Sequence, residues 1–320
     1  MPAGGWTHAR YVELIGWIAV AIAGSITLTQ AFGWTETRAV AVAKSLTPYL
    51  GLVLLPVAAL ALWGRRLTLT ITCVAVGFGI LVLATPLAFP DDQAEPIDGA
   101  TGLRVAALNL LYTNNRSGAV AEKLTTLSPD VIVFSEYTTS HQAILQASDL
   151  ADDYPYRIDR IAPGGVGIAV WSRDASIVEE YPDTYNHSLD VIVEGPDGDI
   201  RIVALHVPTP FNSFENWQRD LHTVGRIGRD AATPTLVVGD LNASYWHPDF
   251  RDLLDTGFVD AHIANGEGFS TSWPTDMVVP PFVRLDHALT TGGLVSTDVV
   301  DFEIPGSDHR GFVVTVAPTH

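Results

Sequence analysis

The chain has 320 residues and a mean hydropathy of +0.22, yet its formal net charge is -18. One soluble domain rarely combines the two, so the chain must divide into unlike parts. A single cysteine, Cys73, excludes an intrachain disulfide, and no HxH, HExxH or paired-cysteine spacing offers a zinc site.

Residues 1–90 hold five Lys or Arg against two acids, net +3; the remainder holds 13 basic and 34 acidic residues, net -21. Within that first stretch, Tyr11 to Phe32, Ala39 to Trp63 and Leu67 to Phe89 are apolar runs. Each has the ~20 residues that a membrane-crossing helix needs, so three transmembrane helices are expected over residues 1–89. Glu13 and Lys44 fall near run ends, where long side chains reach the interface. Trp6, Trp17, Trp34 and Trp63 also fall near ends, as interfacial aromatics do. Soluble core helices are the competing reading, and three runs in succession weigh against it. The first run is too long for a removable signal peptide and lacks a small-residue cleavage pattern. Cys73, inside the third run, reads as a small apolar residue of a helix. Arg65-Arg66 lies between the second and third runs, and Arg10 near the amino terminus. The positive-inside rule places both in the cytoplasm, so three crossings leave the acidic part outside; Arg38 and Lys44 oppose this. Two lysines among abundant Ala, Val, Asp and Arg match a high-GC bacterial composition. The expected location is a bacterial cell membrane, multi-pass, with the acidic domain extracytoplasmic.

Residues 90–101 are a Pro/Asp/Gly-rich linker without apolar period, about 40 Å long when extended. The domain over 102–320 alternates strands and helices. Strands are predicted at Leu103–Leu110 and Val131–Phe134 around a helix near Gly118–Leu127, with a second helix over Ser140–Ala147. Val166–Trp171 and Ser176–Glu180 read as strands. Asp190–Val193 and Asp199–His206 form a hairpin about Gly195-Pro196-Asp197-Gly198. A helix from Ser213 to Asp230 follows, then Thr235–Val238, a helix near Pro248–Asp255, Arg284–Thr290, Asp298–Glu303 and Gly311–Val316. The hairpins argue against a purely parallel sheet. The expected fold class is α/β, a four-layer sandwich of two packed mixed sheets flanked by helices.

Apolar runs end repeatedly in polar motifs: Leu108-Asn109, Ser135-Glu136, Leu205-His206, Gly239-Asp240-Leu241-Asn242, Arg284-Leu285-Asp286-His287 and Gly306-Ser307-Asp308-His309. Together they supply oxygen ligands for a divalent cation, an imidazole with an orienting carboxylate, and donors for phosphoryl oxygens. Glu136 is a candidate cation ligand; alone it would equally suit a surface strand end. Asp240 and Asn242, two apart on extended chain, share a face, and Gly239 permits close backbone approach. His309 needs a fixed tautomer, which Asp286 supplies. His287, beside Asp286 on a strand, points away from the site. Asn109, Asp240 and Asn242 as turn-forming Asx residues, and His206 as a structural histidine, are the plainer alternatives.

The order and local sequences of these motifs resemble the endonuclease/exonuclease/phosphatase superfamily, over roughly residues 102–318. That group includes DNase I-like nucleases, sphingomyelinases and inositol polyphosphate 5-phosphatases. The resemblance implies the same two-sheet architecture and hydrolysis of a phosphoester or pyrophosphate with Mg2+, for which Mn2+ or Ca2+ can substitute. It also implies roles. Glu136 is the principal metal ligand, with Asn109 near the metal and phosphate and Asp308 facing the metal. Asp240 aligns or activates the attacking water, and Asn242 binds a phosphoryl oxygen. His309 contacts the phosphoryl group, oriented by Asp286; which residue acts as base stays open. His206 stands where DNase I-like and sphingomyelinase-like members carry histidine and abasic-site endonucleases tyrosine. Trp273-Pro274 resembles a substrate loop, and Pro280-Pro281-Phe282 can line the same rim and dip toward lipid.

A nucleic-acid enzyme needs a basic stripe for phosphate. Here Arg219, Arg226 and Arg229 share a helix but are interleaved with Asp220 and Asp230, so nucleic acid is disfavoured and an extracellular tethered nuclease is the alternative. A non-catalytic binding protein on a hydrolase scaffold is also disfavoured, because Glu136, Asp240 and His309 are all present. The apolar runs and short tether point to a substrate in the bilayer, either a phospholipid or a polyprenyl (pyro)phosphate at the outer leaflet. This arrangement resembles bacterial membrane proteins of the superfamily linked to teicoplanin-type resistance. No protein partner is inferable.

Overall fold

The computed structural model describes residues 5–35, 37–90, 93–180 and 182–319. Two compact units emerge, one of Met1–Pro86 with Tyr245–Asp249, the other of Leu87–Ser244 with Phe250–His320.

The first unit is helical: α1 (Gly5–Ala31), α2 (Arg38–Lys44), α3 (Thr47–Trp63) and α4 (Leu67–Leu83), with a short α5 (Thr85–Ala88) leading out of it. Here the expectation of three full spans needs correction. Among the described residues, α1 is the one single helix of span length, over Tyr11–Ala31, 21 residues at hydropathy 1.8, and α2 with α3 reaches that length only as a bent pair. α3 and α4 have 17 residues each, about 26 Å at 1.5 Å per residue, against a hydrocarbon core of ~30 Å. The second apolar run breaks after Lys44 and restarts with Pro48 in the first turn of α3, where proline's missing N–H costs nothing. α2 and α3 consequently meet at 65°. The third run stops at Leu83, is capped by Ala84 and resumes as the one-turn α5 with Pro86 at its second position, where a missing amide costs nothing. Val20, Ala23, Leu54, Ala61, Leu69 and Cys73 pack together inside this unit. Cys73 thus has the apolar role expected of it.

The second unit contains two six-stranded sheets. The first runs in the order β11 (Leu294–Glu303), β12 (Arg310–Pro318), β1 (Leu103–Asn109), β2 (Val131–Ser135), β4 (Ile168–Ser172), β3 (Tyr156–Arg160). The second runs β5 (Ser176–Glu180), β6 (Leu189–Val193), β7 (Ile200–His206), β8 (Thr235–Asp240), β10 (Asp286–Thr291), β9 (Val259–Asp260). Each has one parallel pair near its centre, β1 with β2 and β7 with β8, and antiparallel neighbours elsewhere. The connections between the parallel strands carry α6 (Ser117–Leu127) and α8 (Phe214–Asp230); α7 (Thr139–Gln146), α9 (Pro248–Leu254) and α10 (Ala261–Ala264) complete the set.

Strand alternation sorts the core. Val105, Ala107, Val133 and Val170 of one sheet meet Ile202, Ala204, Leu236 and Val238 of the other. The residues between them, Ala106, Leu108, Ile132 and Phe134, pack beneath α6 and α7 with Leu124 and Leu145. Burial on both faces explains why these strands read as unbroken apolar runs. Each fully buried Val, Leu or Ile contributes roughly 1.5–3 kcal/mol.

The mixed two-sheet architecture is as expected. β3 is an addition: its alternating Arg157, Asp159 and half-exposed Ile158 suit an edge strand and carry no apolar signal. β4 begins at Ile168 because Gly164–Val166 is a tight turn. Within the expected linker, Asp91 and Asp92 lie outside the described residues. Beyond them the chain runs along the sheet: Gln93 Nε2 donates to Ser296 O at 3.1 Å, and Pro96 bridges to Thr319.

Candidate active site

The carboxyl ends of β1, β2, β7 and β8 bring the polar motifs to one place. Asn109 pairs with Ser135 across the parallel β1–β2 ladder, and Asp240 stands opposite both His206 and Asp286. Gly239 makes this approach possible. Its φ is 138°, and a Cβ there would lie 2.1 Å from Leu205 O. No residue with a side chain fits that position. At two further strand ends the backbone turns left-handed at non-glycine residues, Glu136 (φ 57°) and Asn242 (φ 46°). Such conformations cost of order 1–3 kcal/mol and concentrate at functional sites.

One hydrogen-bonded network joins most of the sequence-predicted residues. Asn109 Nδ2 donates to Glu136 Oε1 at 3.1 Å and to Asp240 Oδ2 at 2.9 Å. Glu136 Oε2 accepts from Tyr112 N at 2.8 Å. Asp240 Oδ1 accepts from Asn242 N at 2.8 Å, while Asn242 Nδ2 donates to Val207 O at 2.9 Å. His206 Nε2 and His309 Nε2 approach Asp240 Oδ2 at 3.7 and 3.8 Å. His309 Nδ1 lies 2.8 Å from Asp286 Oδ2. His206 Nδ1 is buried without a hydrogen-bond partner. Asp308 and Trp273 form a separate pair beside this network, Trp273 Nε1 donating to Asp308 Oδ2 at 3.0 Å. His287 turns to the other face as expected, between Asp260 Oδ2 at 2.6 Å and Ala243 O at 2.9 Å.

Three supports escaped the sequence reading. Ser272 Oγ, fully buried, accepts from Leu285 N at 3.0 Å and Asp286 N at 3.3 Å. Ser307 Oγ donates to Asn109 O at 2.7 Å and accepts from His309 N at 3.1 Å, tying the first motif to the last. Gly165 leaves room for Glu136, whose carboxylate would lie 3.2–3.5 Å from any Cβ there. The Ser307 signal was present inside Gly306-Ser307-Asp308-His309. The other two lie in loops far along the chain from the residues they serve.

The electrostatics follow from burial. Asp240 is pushed up to about 6, first by burial and then by the neighbouring Asp286 carboxylate. Burial alone would push the His309 imidazole down, but Asp286 and Asp240 outweigh it and raise it to about 10. Burial likewise works against an ionised Asp286, and His309 with the Ser272 hydroxyl holds its carboxyl below the usual range. Nδ1 of His309 thus faces the Asp286 carboxylate and Nε2 lies nearest Asp240 Oδ2, a setting that favours the charged imidazole while no cation is bound.

Oxygens of Asp240 and Asp286 and a ring nitrogen of His309 lie within 4.8 Å of one another, all three residues buried. Glu136 adds a half-buried carboxylate joined to Asp240 through Asn109. This oxygen-rich, net-negative donor set suits a hard divalent cation, whose charge would offset both the burial and the Asp286 repulsion that raise Asp240.

The sequence over residues 106–309 matches the model of the Endonuclease/Exonuclease/phosphatase family. No curated protein sequence matches the chain. Solved structures share the fold. D. rerio TDP2 complexed with single strand DNA product superposes with a TM-score of 0.54 at 16% identity, covering 68% of this chain and 99% of that one. An AP endonuclease from Archaeoglobus fulgidus gives 0.54 at 17% identity, covering 66% and 98%. An endonuclease/exonuclease/phosphatase from Beutenbergia cavernae DSM 12333 gives 0.51 at 19% identity, covering 68% and 72%. The site gathers the carboxylates of Glu136, Asp240 and Asp286, the imidazole of His309 and the amides of Asn109 and Asn242 at the strand ends of this fold. The chain belongs to the endonuclease/exonuclease/phosphatase family and is a metal-dependent phosphoric ester hydrolase.

Proposed function

We propose that the protein is a membrane-anchored, Mg2+-dependent phosphoesterase. Its substrate is a phosphodiester or pyrophosphate bond in a lipid-linked molecule at the outer leaflet, a phospholipid or a polyprenyl (pyro)phosphate. The supporting observation is the inverted surface of the helical unit. Small and aliphatic residues pack inside it, while Leu14, Ile18, Ile22, Leu52, Leu55, Ile71, Phe78 and Leu81 are each at least half exposed. A helix apolar on every face needs an apolar solvent. α1 has the length to span, and we take α3 and α4 to cross as short helices that the bilayer accommodates by thinning. Arg66 pairs with Glu13 at 3.4 Å, so the α3–α4 loop and the start of α1 share an end. Assigning that end to the cytoplasm puts the hydrolase domain outside. This arrangement is the ground for likening the chain to the teicoplanin-resistance-type subgroup.

Within the site, Glu136 and Asn109 would hold the cation with Asp240 or Asp308 beside it. When bound, it supplies neutralisation of phosphoryl charge and a more acidic water. Asp240, titrating near 6, accepts the proton of the attacking water. His309 donates from Nε2 to a phosphoryl oxygen, and Asp286 keeps it charged. His206 and the second Nδ2–H of Asn242 complete the donors, and the phosphorus-to-leaving-oxygen bond breaks as the water oxygen attaches, the leaving oxygen taking a proton from solvent. Trp273 borders the substrate.

The test offers bacterial lipid extract and DNA separately to the detergent-purified chain, with Glu136→Ala in parallel and mass spectrometry of products. Release of phosphate or a phosphorylated head group by wild type alone is expected. Cleavage of DNA only would favour the second reading, a tethered nuclease. That reading draws on the DNA-related names of two similar folds; 34 acids against 13 bases outside residues 1–90 weigh against it.

A further inference from the structure

We propose that the loop between Trp273 and Val283 is a wedge that enters the acyl region of a phospholipid bilayer and holds the mouth of the site against it. The proposal rests on the lipid-linked reading above and deepens it.

Met277 and Val279 are 56% and 50% exposed, and Val278 stands wholly free at 106%. From Met277 to Val283 the chain carries no charge, and Pro280-Pro281 stiffens its return. A soluble surface gains nothing from a protruding Met-Val-Val tip.

The base of this loop is fixed to the catalytic segment. Trp273 bridges to Val283, and Phe282 N donates to Trp273 O at 3.0 Å. Thr275 N donates to Asp308 O at 2.8 Å, and Thr275 Oγ1 to Ser307 O at 2.9 Å. With the Trp273–Asp308 bond, these contacts carry the loop on the two residues that precede His309. A tip held in lipid would therefore keep the phosphoryl-binding imidazole near the head-group layer.

The occupant is indicated by the neighbouring chain. Leu87, at the start of the second unit, lies in the short α5, four residues beyond the end of the apolar helix α4. Its backbone lies against Gly268, where a Cβ would come within 2.6 Å of Leu87 O. The next residue, Phe269, is 61% exposed, and the wedge begins soon after it. The segment leading into the loop is thus anchored where the chain leaves its apolar helices, so the bilayer is the apolar phase within its reach.

The full chain would be reconstituted into vesicles of phosphatidylcholine and phosphatidylglycerol, carrying Val278→Cys in a Cys73→Ala background and labelled with nitrobenzoxadiazole. Blue-shifted emission quenched by acyl-chain spin labels is expected, and no quenching from a Glu122→Cys control on exposed α6. An unquenched probe overturns the proposal. Shielding without quenching by acyl chains also overturns it, and assigns the tip to a second copy of the chain. In a kinetic arm, Met277→Ser with Val278→Ser should slow turnover of vesicle-borne substrate by on the order of tenfold and leave bis(p-nitrophenyl) phosphate hydrolysis unchanged. Equal rates on vesicles would sink the wedge. A quenched probe in a protein that cleaves DNA but no lipid would leave the wedge standing and remove the lipid-linked substrate.

Discussion

His309 Nδ1 lies 2.8 Å from Asp286 Oδ2, and both side chains are buried. The pair shifts each partner toward its charged form, so it couples folding to pH. For His309, raised from 6.5 to about 10, the stabilisation is complete below 6.5 and is lost as pH climbs through about 10. For Asp286, lowered from 3.8, it is complete above 3.8 and lost as pH falls through the depressed value. Replacing His309 with Gln strands a buried carboxylate, at a cost of about 3 kcal/mol. The gap in Tm between wild type and His309→Gln should be widest between about 3.8 and 6.5 and narrow toward pH 10, as followed by circular dichroism with chelator present. A gap independent of pH would show that packing, not charge, makes the contribution.

Asn109 ends a strand of one sheet and touches Asp240 at the end of a strand in the other, while also bonding Glu136. Its amide is the neutral spacer between two carboxylates. Asn109→Asp replaces two donated hydrogen bonds with repulsion. In chelator this variant should lose about 2 kcal/mol or more, the cost of unpaired buried charge. Added Mg2+ should then raise its Tm by more than it raises that of wild type, because a fourth carboxylate strengthens the cation's hold. Equal Mg2+ responses in differential scanning calorimetry would place the cation away from Asn109.

Asp240 competes for cations with its own proton. Its carboxyl titrates near 6, so below that pH the proton must leave before the oxygen can ligate. The apparent Kd for Mg2+ should rise roughly tenfold for each pH unit below 6 and level off above it. Asp240→Asn should bind more weakly and lose that slope. Isothermal titration between pH 5 and about 8 decides the matter, and a slope that survives in Asp240→Asn would assign the competing proton to another group.

The strand-end motifs were legible because a buried strand is an apolar run and the first polar residue after it stands at the sheet edge. Asn109, Glu136, His206 and Asp240 declared themselves in that way; Asp286 instead opens the antiparallel β10, so its motif precedes its strand. The break within the second apolar run did not. Ser45, Leu46 and Thr47 interrupt hydropathy too little, and only the helix geometry reveals that α2 and α3 diverge. Gly165 and Ser272 were illegible for a different reason. One acts by having no side chain beside Glu136, the other by receiving amides from residues more than ten positions away. Neither leaves a periodic trace.

Ser272 makes that second kind of contribution testable. Its hydroxyl accepts from Leu285 N and Asp286 N, and its own backbone bonds Val283 O and Arg310 N. It therefore pins the start of β10 to the segment that leads out of His309. Ser272→Ala leaves two buried amides without their acceptor, costing about 1–3 kcal/mol in stability. Asp286 would keep its charge but gain freedom, and His309 with it. We expect kcat to fall by on the order of tenfold with KM nearly unchanged, since the loss falls on orientation in the transition state. Ser272→Thr retains the hydroxyl and should recover most of kcat despite the added methyl. If Ala and Thr lower kcat equally, the methyl-sized space around residue 272 matters and its hydroxyl does not.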